Sequence, residues 1–277
     1  MNTLLNEKID LTMWTLNSER TLGACLQSIE NAIPSELVNQ RIMIDAHSKD
    51  ETKIIGETFG WKVYDAEKVG IVSQANQALS HVATDFFASF EHDIILNPHW
   101  LSSMLPYMFD PKVAVAQGVR LSTNPVLRKI ERYSLGRDEI RYSSVDNNLY
   151  NTKIIREIGG FTGYSRQLQD TVWKHGYKWI TDKKIISNHI RGSLRSTGRH
   201  VYTFGLLSAY RGTDSFSGQL ARFLFSPVRS LHIALRENCP QAMYVYPYIR
   251  FAYLASAIKR RVRPLASKKK IDNQVSS

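Results

Sequence analysis

Short apolar runs of strand character take turns with amphipathic helical stretches from residue 9 to about residue 100, and no other property of the chain restricts its fold as tightly. IDLTMWTL, 9–16, reads as a half-buried or buried strand, and Asn17-Ser18-Glu19 supplies helix-start chemistry behind it. Leu22, Cys25, Leu26 and Ile29 follow at i, i+3, i+4 and i+7, the stripe of an amphipathic helix that ends near Pro34. The plan then repeats. RIMID at 41–45 is a strand, Ser48 and Glu51 have capping-box spacing, and a helix through Ile54, Ile55 and Phe59 stops at Gly60. WKVY at 61–64 is the next strand, a helix runs from about Val72 to Ala83, TDFFASF at 84–90 is a strand again, and Asn97-Pro98 starts a further helix.

Strands that alternate with helices of about 10 to 15 residues make an α/β fold, a mostly parallel sheet flanked by helices on both faces. Ligands of such sheets lie beyond the carboxyl ends of the strands. Asn17, Asp45 and the cluster Glu91-His92-Asp93 all fall at those ends, so three polar groups remote in sequence converge on one edge. A Glu-x-Asp pair on an extended or turning segment points both carboxylates to one side, because alternate side chains share a face. Two such charges need a cation between them. Oxygen ligands suit Mg2+ or Mn2+, with the remaining coordination supplied by a diphosphate. No G-x-G-x-x-G follows the first strand and there is no P-loop, which argues against an ordinary dehydrogenase or NTPase. A nucleotidyltransferase would want a Gly-rich loop at the same place, and NSERTLGAC is not one.

Charge divides the chain more sharply than apolar content does. Residues 1–190 hold 21 Lys and Arg against 22 Asp and Glu, whereas residues 191–277 hold 15 against 3. A neutral body therefore carries a basic tail. With 277 residues the chain buries a full-sized core, and the division expected is one domain over 1–190 with a basic, amphipathic helical extension over 191–277. Cys25 and Cys239 have neither C-x-x-C nor Cys/His spacing, so both are expected to be reduced, and MNTLLNEKID lacks the parts of a secretion signal. A cytoplasmic protein is expected.

Several stretches resemble the family 2 glycosyltransferases of the GT-A fold. Trp14-Thr15-Leu16-Asn17-Ser18-Glu19 resembles the family's first-strand turn P-T-Y-N-E, and Ile44-Asp45-Ala46-His47-Ser48-Lys49-Asp50 its V-D-D-G-S-x-D segment. Gly70 through Asn76 to Leu79, then Ala83-Thr84, resembles G-x-x-x-A-x-N-x-G-L-x-x-A-T, and Asn97-Pro98-x-Trp100-Leu101 the P-x-x-L helix. Phe90-Glu91-His92-Asp93 stands at the place of the metal-binding D-x-D. Asn148-Leu149-Tyr150 and Ile155 to Phe161 resemble the acceptor-side element that ends in G-G-F, and Lys174-His175-Gly176-Tyr177-Lys178 resembles K-x-G-Y-x. The likeness runs over roughly residues 9–190.

What the resemblance implies is a transferase that moves a sugar from a UDP- or GDP-sugar to a polyprenyl-linked or glycan acceptor with inversion, dependent on Mn2+ or Mg2+. It implies Asp93 as the direct metal ligand, with Glu91 beside it and His189 near the ion; Thr15, Leu16 and Asn17 around the base and ribose; Asp45 accepting from the nucleobase ring N–H; Asn76 touching base or ribose; and His92 as a neighbour of the diphosphate site. Departures are plain: Glu91 replaces the first Asp of D-x-D, Ala46 the second Asp of the second-strand motif, and the E-D dipeptide of the catalytic base becomes Gln169-Asp170. Asp170 is the base this implies. The altered motifs leave one alternative of another class, an idle relic serving as a membrane-surface or nucleic-acid binding module.

The tail reads as helices with apolar faces and scattered arginines. Its longest apolar stretch, Ala242 to Ile258, holds Pro247 and Arg250 and is too short and interrupted to span a membrane. Tyr244, Tyr246, Tyr248, Phe251 and Tyr253 beside Arg250 and Lys259-Arg260-Arg261 suit a helix lying among anionic lipid headgroups. Packing on the body, or an oligomer interface, is the plainer alternative, with Lys268-Lys269-Lys270 a solvated end.

Overall fold

The computed structural model describes residues 7–136, 144–190, 194–208 and 215–262; Lys268, Lys269 and Lys270 lie outside them. Two compact units emerge, one formed by the chain up to Arg120 and the stretch that ends at His189, the other by Leu121 onward through the helix at 125–135 and the helices after Ile190.

The first unit is built on one sheet. Strands β1 (Ile9–Thr15), β2 (Val38–Asp45), β3 (Lys62–Asp65) and β4 (Phe86–Phe90) are the predicted ones, with helices α1 (Glu19–Ala32), α2 (Thr52–Thr58) and α3 (Ile71–His81) between them. They pair in parallel in the order β3-β2-β1-β4. β5 (Ile94–Ile95), β6 (Val113–Ser122), β7 (Asn148–Asn151) and β8 (Lys178–His189) complete eight strands in the order β3-β2-β1-β4-β7-β6-β8-β5. β7 runs antiparallel to both β4 and β6, and β5 antiparallel to β8, so the sheet is mixed beyond its parallel half.

Each face of the sheet has its own core. Leu22, Cys25, Leu26 and Ile29, the predicted stripe of α1, pack with Met13, Phe90, Trp100 and Met104 on one side. Ala75, Ala78 and Leu79 of α3 pack with Phe87, Tyr150, Ile155 and Phe161 on the other. Burial on this scale is what holds the layers, at about 25 cal/mol for each Å² of apolar surface removed from water. At the amino end of β1 the buried Asp10 accepts from Asn39 Nδ2 of β2 at 2.8 Å and from the Thr84 amide at 3.2 Å, so the acid joins β1 to β2 and to the α3–β4 turn.

Two helix starts differ from the sequence expectation. Ser48 does not cap α2: its hydroxyl donates to Asp45 Oδ1 at 2.6 Å and its amide to Asp45 Oδ2 at 2.7 Å, so an acid three residues upstream outcompetes the helix for that side chain. α2 begins at Thr52 instead, whose amide donates to Asp50 Oδ1 at 3.1 Å. Pro98 precedes a turn in which Asn97 Oδ1 accepts from the His99 amide at 2.9 Å, and α4 (Trp100–Met104) starts after it.

The remaining helices of the first unit are α6 (Thr152–Glu157), capped by Asn151, and α7 (Ser165–Lys174). The second unit holds α5 (Pro125–Leu135), α8 (Leu194–Ser208), α9 (Phe216–Leu224), α10 (Ser226–Arg236) and α11 (Ala242–Val262). Asn124 Oδ1 caps α5 by accepting from the Val126 and Leu127 amides at 3.1 Å each. α5 presents Leu127, Ile130 and Tyr133 to Ile233 of α10 and to Ala242, Val245 and Tyr246 of α11. α11 is the hub: it packs against α8, α9, α10 and α5. No helix of the described residues is long and apolar enough to cross a membrane.

Candidate active site

Strand register gathers the polar groups. Thr15, Asp45 and Asp65 face one another across the carboxyl ends of β1, β2 and β3, and Phe90 at the end of β4 pairs with Met13. Glu91, His92 and Asp93 therefore leave the sheet at its ligand-binding edge. β5 then pairs antiparallel with β8, setting Ile94 opposite His189. That pairing brings an imidazole 96 positions away to Asp93: His189 Nε2 lies 3.0 Å from Asp93 Oδ2 and 3.9 Å from Glu91 Oε2. One ligand atom from each of Glu91, Asp93 and His189 falls within 4.8 Å of the others.

Three carboxyl groups crowd this trio. Arg120 of β6 places Nη1 2.8 Å from Glu91 Oε2 and donates to Ser144 Oγ at 2.7 Å. Asp146, buried, lies against Glu91; burial and then the charge of Glu91 push its carboxyl well above the usual carboxylate range, against the pull of Arg120. Its Oδ1 has no hydrogen-bond partner. For Asp93 burial pushes upward, but the hydrogen bond and charge of His189, with His92 and Arg120 behind it, outweigh this and hold the carboxyl well below the usual range. Three carboxyl groups thus share one arginine and two histidines, His189 in contact and His92 behind it. A surplus of oxygen donors with an imidazole nitrogen, and a buried carboxyl oxygen left over, fits a divalent cation; Mn2+ accepts such a mixed set more readily than Mg2+.

Asp45 is fully buried at the floor of the same edge and accepts from Thr15 Oγ1 at 2.9 Å as well as from Ser48. Asn17, in the left-handed region at φ +47°, takes the Lys49 amide on Oδ1 at 2.9 Å and gives its own amide to Ser48 Oγ at 2.8 Å, which ties the loops after β1 and β2 together. Leu16 is half-buried against the α3 side of the core. His92 faces Thr21, Nδ1 3.5 Å from its hydroxyl. Asp170 stands exposed on α7, directly after the buried Gln169.

Asn76, expected at the base or ribose, has a protein partner in the structure. Its Nδ2 donates to Phe161 O at 3.0 Å and its Oδ1 accepts from the Phe161 amide at 2.8 Å, so the side chain clamps the Gly159–Gly160 turn. Gly160 sits at φ +76°, and a Cβ there would collide with Asn76 Oδ1. Gly160→Ala is accordingly expected to cost about 1–3 kcal/mol. Thermal unfolding checks it: a midpoint within about 1 °C of the wild type would mean that the clamp is dispensable.

Arg120, Ser144 and Asp146 are absent from the sequence reading. No motif announces them; only the β6–β7 pairing carries them to Glu91.

Comparison with known proteins agrees with this geometry. The family model described as Glycosyl transferase family 2 matches residues 11–173. No curated protein matches the chain. Among solved structures, the chain is similar to the mannosyltransferase PcManGT from Pyrobaculum calidifontis, solved with GDP-Man and Mn2+, with a TM-score of 0.59 and 15% identity over 97% of this chain and 78% of that one. It is also similar to glucosyl-3-phosphoglycerate synthase from Mycobacterium tuberculosis, solved with Mn2+, UDP and glucosyl-3-phosphoglycerate, with a TM-score of 0.54 and 18% identity over 70% of this chain and 76% of that one. At such identities the likeness is one of fold.

Proposed function

The chain belongs to glycosyl transferase family 2, and from that membership we propose that it moves a sugar from a nucleoside diphosphate donor, UDP- or GDP-linked, to a polyprenyl-linked or glycan acceptor with inversion. The observation that carries the reading is the trio Glu91, Asp93 and His189 at the carboxyl edge of the parallel strands. Asp93 and His189, with Glu91, would hold Mn2+, which when bound offsets the charge that grows on the leaving diphosphate. The residues around it do the positioning. Without the ion His189 holds Asp93 ionised, and its Nε2 would release its proton to take up the metal; Arg120 fixes Glu91 in place.

Thr15, Leu16 and Asn17 line the nucleoside end, and Asp45 accepts the nucleobase ring N–H in exchange for the hydroxyl of Ser48, which can rotate away. His92 stands next to the diphosphate. Asp170 takes the proton of the acceptor hydroxyl as that oxygen attacks the anomeric carbon from the face opposite the diphosphate. In this reading residues 1–190 carry the donor chemistry in the cytoplasm, and the basic helices after them serve a lipid-linked acceptor at a membrane surface.

Thermal unfolding with UDP, GDP and their sugars, each with and without Mn2+, tests the donor site. A ligand at a hundredfold its Kd adds about 2.7 kcal/mol. The expected result is a rise in melting temperature that needs both nucleotide and metal; no rise with any nucleotide would refute the reading.

A further inference from the structure

α9 and α10 are built inside out. Only Phe225 separates them, and its amide and carbonyl continue the helical hydrogen bonding to Ala221 and Arg229. Toward the rest of its unit this helical run turns Gln219, Ser226, Ser230 and Ile233, each 3% exposed or less. Toward solvent it turns Leu220, Leu224, Val228, Leu231 and Leu235, between 36% and 75% exposed. Phe225, also exposed, widens that arc.

The inward serines explain how the polar side can be the packed one. Ser226 Oγ donates to Phe223 O at 2.6 Å and Ser230 Oγ to Pro227 O at 2.8 Å, so each hydroxyl finds a carbonyl within the run and leaves a small surface for α11 to approach. An ordinary surface helix has the reverse arrangement. A continuous aliphatic arc left in water marks a contact surface rather than a random exposure.

The charge pattern says what covers it. Arg222, Arg229 and Arg236 recur at i, i+7 and i+14 and so form one edge along the aliphatic arc. Within residues 215–262 the one acid is Glu237, which Arg132 holds at 2.7 Å. A second copy would bring the same positive field against itself. A bilayer with anionic headgroups takes both parts at once, the aliphatics among the acyl chains and the arginines at the phosphates. α11 adds the exposed Tyr244, Tyr248 and Phe251, the last with its ring 5.9 Å from that of Phe223 on α9.

We propose that the outward arc of α9 and α10, Leu220 to Leu235 with its arginine edge, docks the protein on an anionic lipid bilayer. α11, in which the sequence pattern placed the lipid contact, packs against both helices and adds its own exposed aromatics to that surface. This deepens the reading of a transferase with a lipid-linked acceptor, and the test measures binding alone, so each stands or fails without the other.

The experiment is flotation of the full chain with vesicles of phosphatidylcholine and with vesicles that also hold phosphatidylglycerol. The wild type should float with the anionic vesicles and stay behind with the neutral ones. Leu231→Asp combined with Leu235→Asp should lower the partition constant, read from flotation over a range of lipid concentrations, about 100-fold, roughly tenfold for each leucine withdrawn from the lipid, with an unchanged melting temperature because both side chains are exposed. A second variant, Leu231→Trp, guards against a folding defect: brominated acyl chains should quench its added fluorescence. Flotation unchanged by the double substitution, no quenching of the tryptophan, or a dimer by light scattering that the double substitution dissociates would each overturn the proposal.

Discussion

Asp93→Asn should abolish the metal-dependent rise in melting temperature with nucleotide and lower transfer on the order of 10³-fold, about 4 kcal/mol of transition-state stabilisation. The size follows from where Asp93 sits. It is held well below the usual carboxylate range by a histidine 3.0 Å away on the neighbouring strand, and Glu91 stands farther from that histidine, at 3.9 Å. An amide keeps the shape and the contact with His189 but removes the charge. Titration calorimetry with Mn2+, alongside turnover, checks the result. Manganese bound with unchanged affinity by the variant would take Asp93 out of the site.

For Asp170→Asn the expected loss is about 10² to 10⁴ in turnover, the range for a general base, with the nucleotide-dependent rise in melting temperature retained. Asp170 is exposed on α7, so the amide that replaces it stays solvated and the fold should tolerate the change. The separation of effects is the point of the measurement: Asp93 is expected to move binding and turnover together, Asp170 turnover alone. Turnover within about tenfold of the wild type, or nucleotide binding lost with it, would strip Asp170 of the role of base.

The parallel half of the sheet was legible because periodicity and strand length are local signals. Leu22, Cys25, Leu26 and Ile29 announce α1, and all four are buried as the stripe requires. Glu91 and Asp93 were legible for the same reason, two acids ending an apolar run. What escaped is set by long-range pairing or by competition for one side chain. Arg120 and Asp146 are lone charges in sequence, and nothing short of the β6–β7 register places them by Glu91. Ser48 has the spacing of a helix cap, yet Asp45 captures it. Asn76 fits a motif, and the motif does not announce its bonds to Phe161, 85 positions away. In α10 the pattern shows an apolar face without saying which way it points; the burial of Ser226 and Ser230 decides that.

β5 is two residues long, and its ladder to β8 rests on the pairs Ile94–His189 and Ile95–Asn188. Successive side chains on a strand alternate sides, so shifting β8 by a single position would present Asn188 to Asp93 and turn the imidazole away. The spacing between Trp179 and His189 is therefore fixed: one residue more or less turns the imidazole to the other face, two keep the face but carry it about 7 Å along the strand, and only a bulge that restores the register returns it to Asp93.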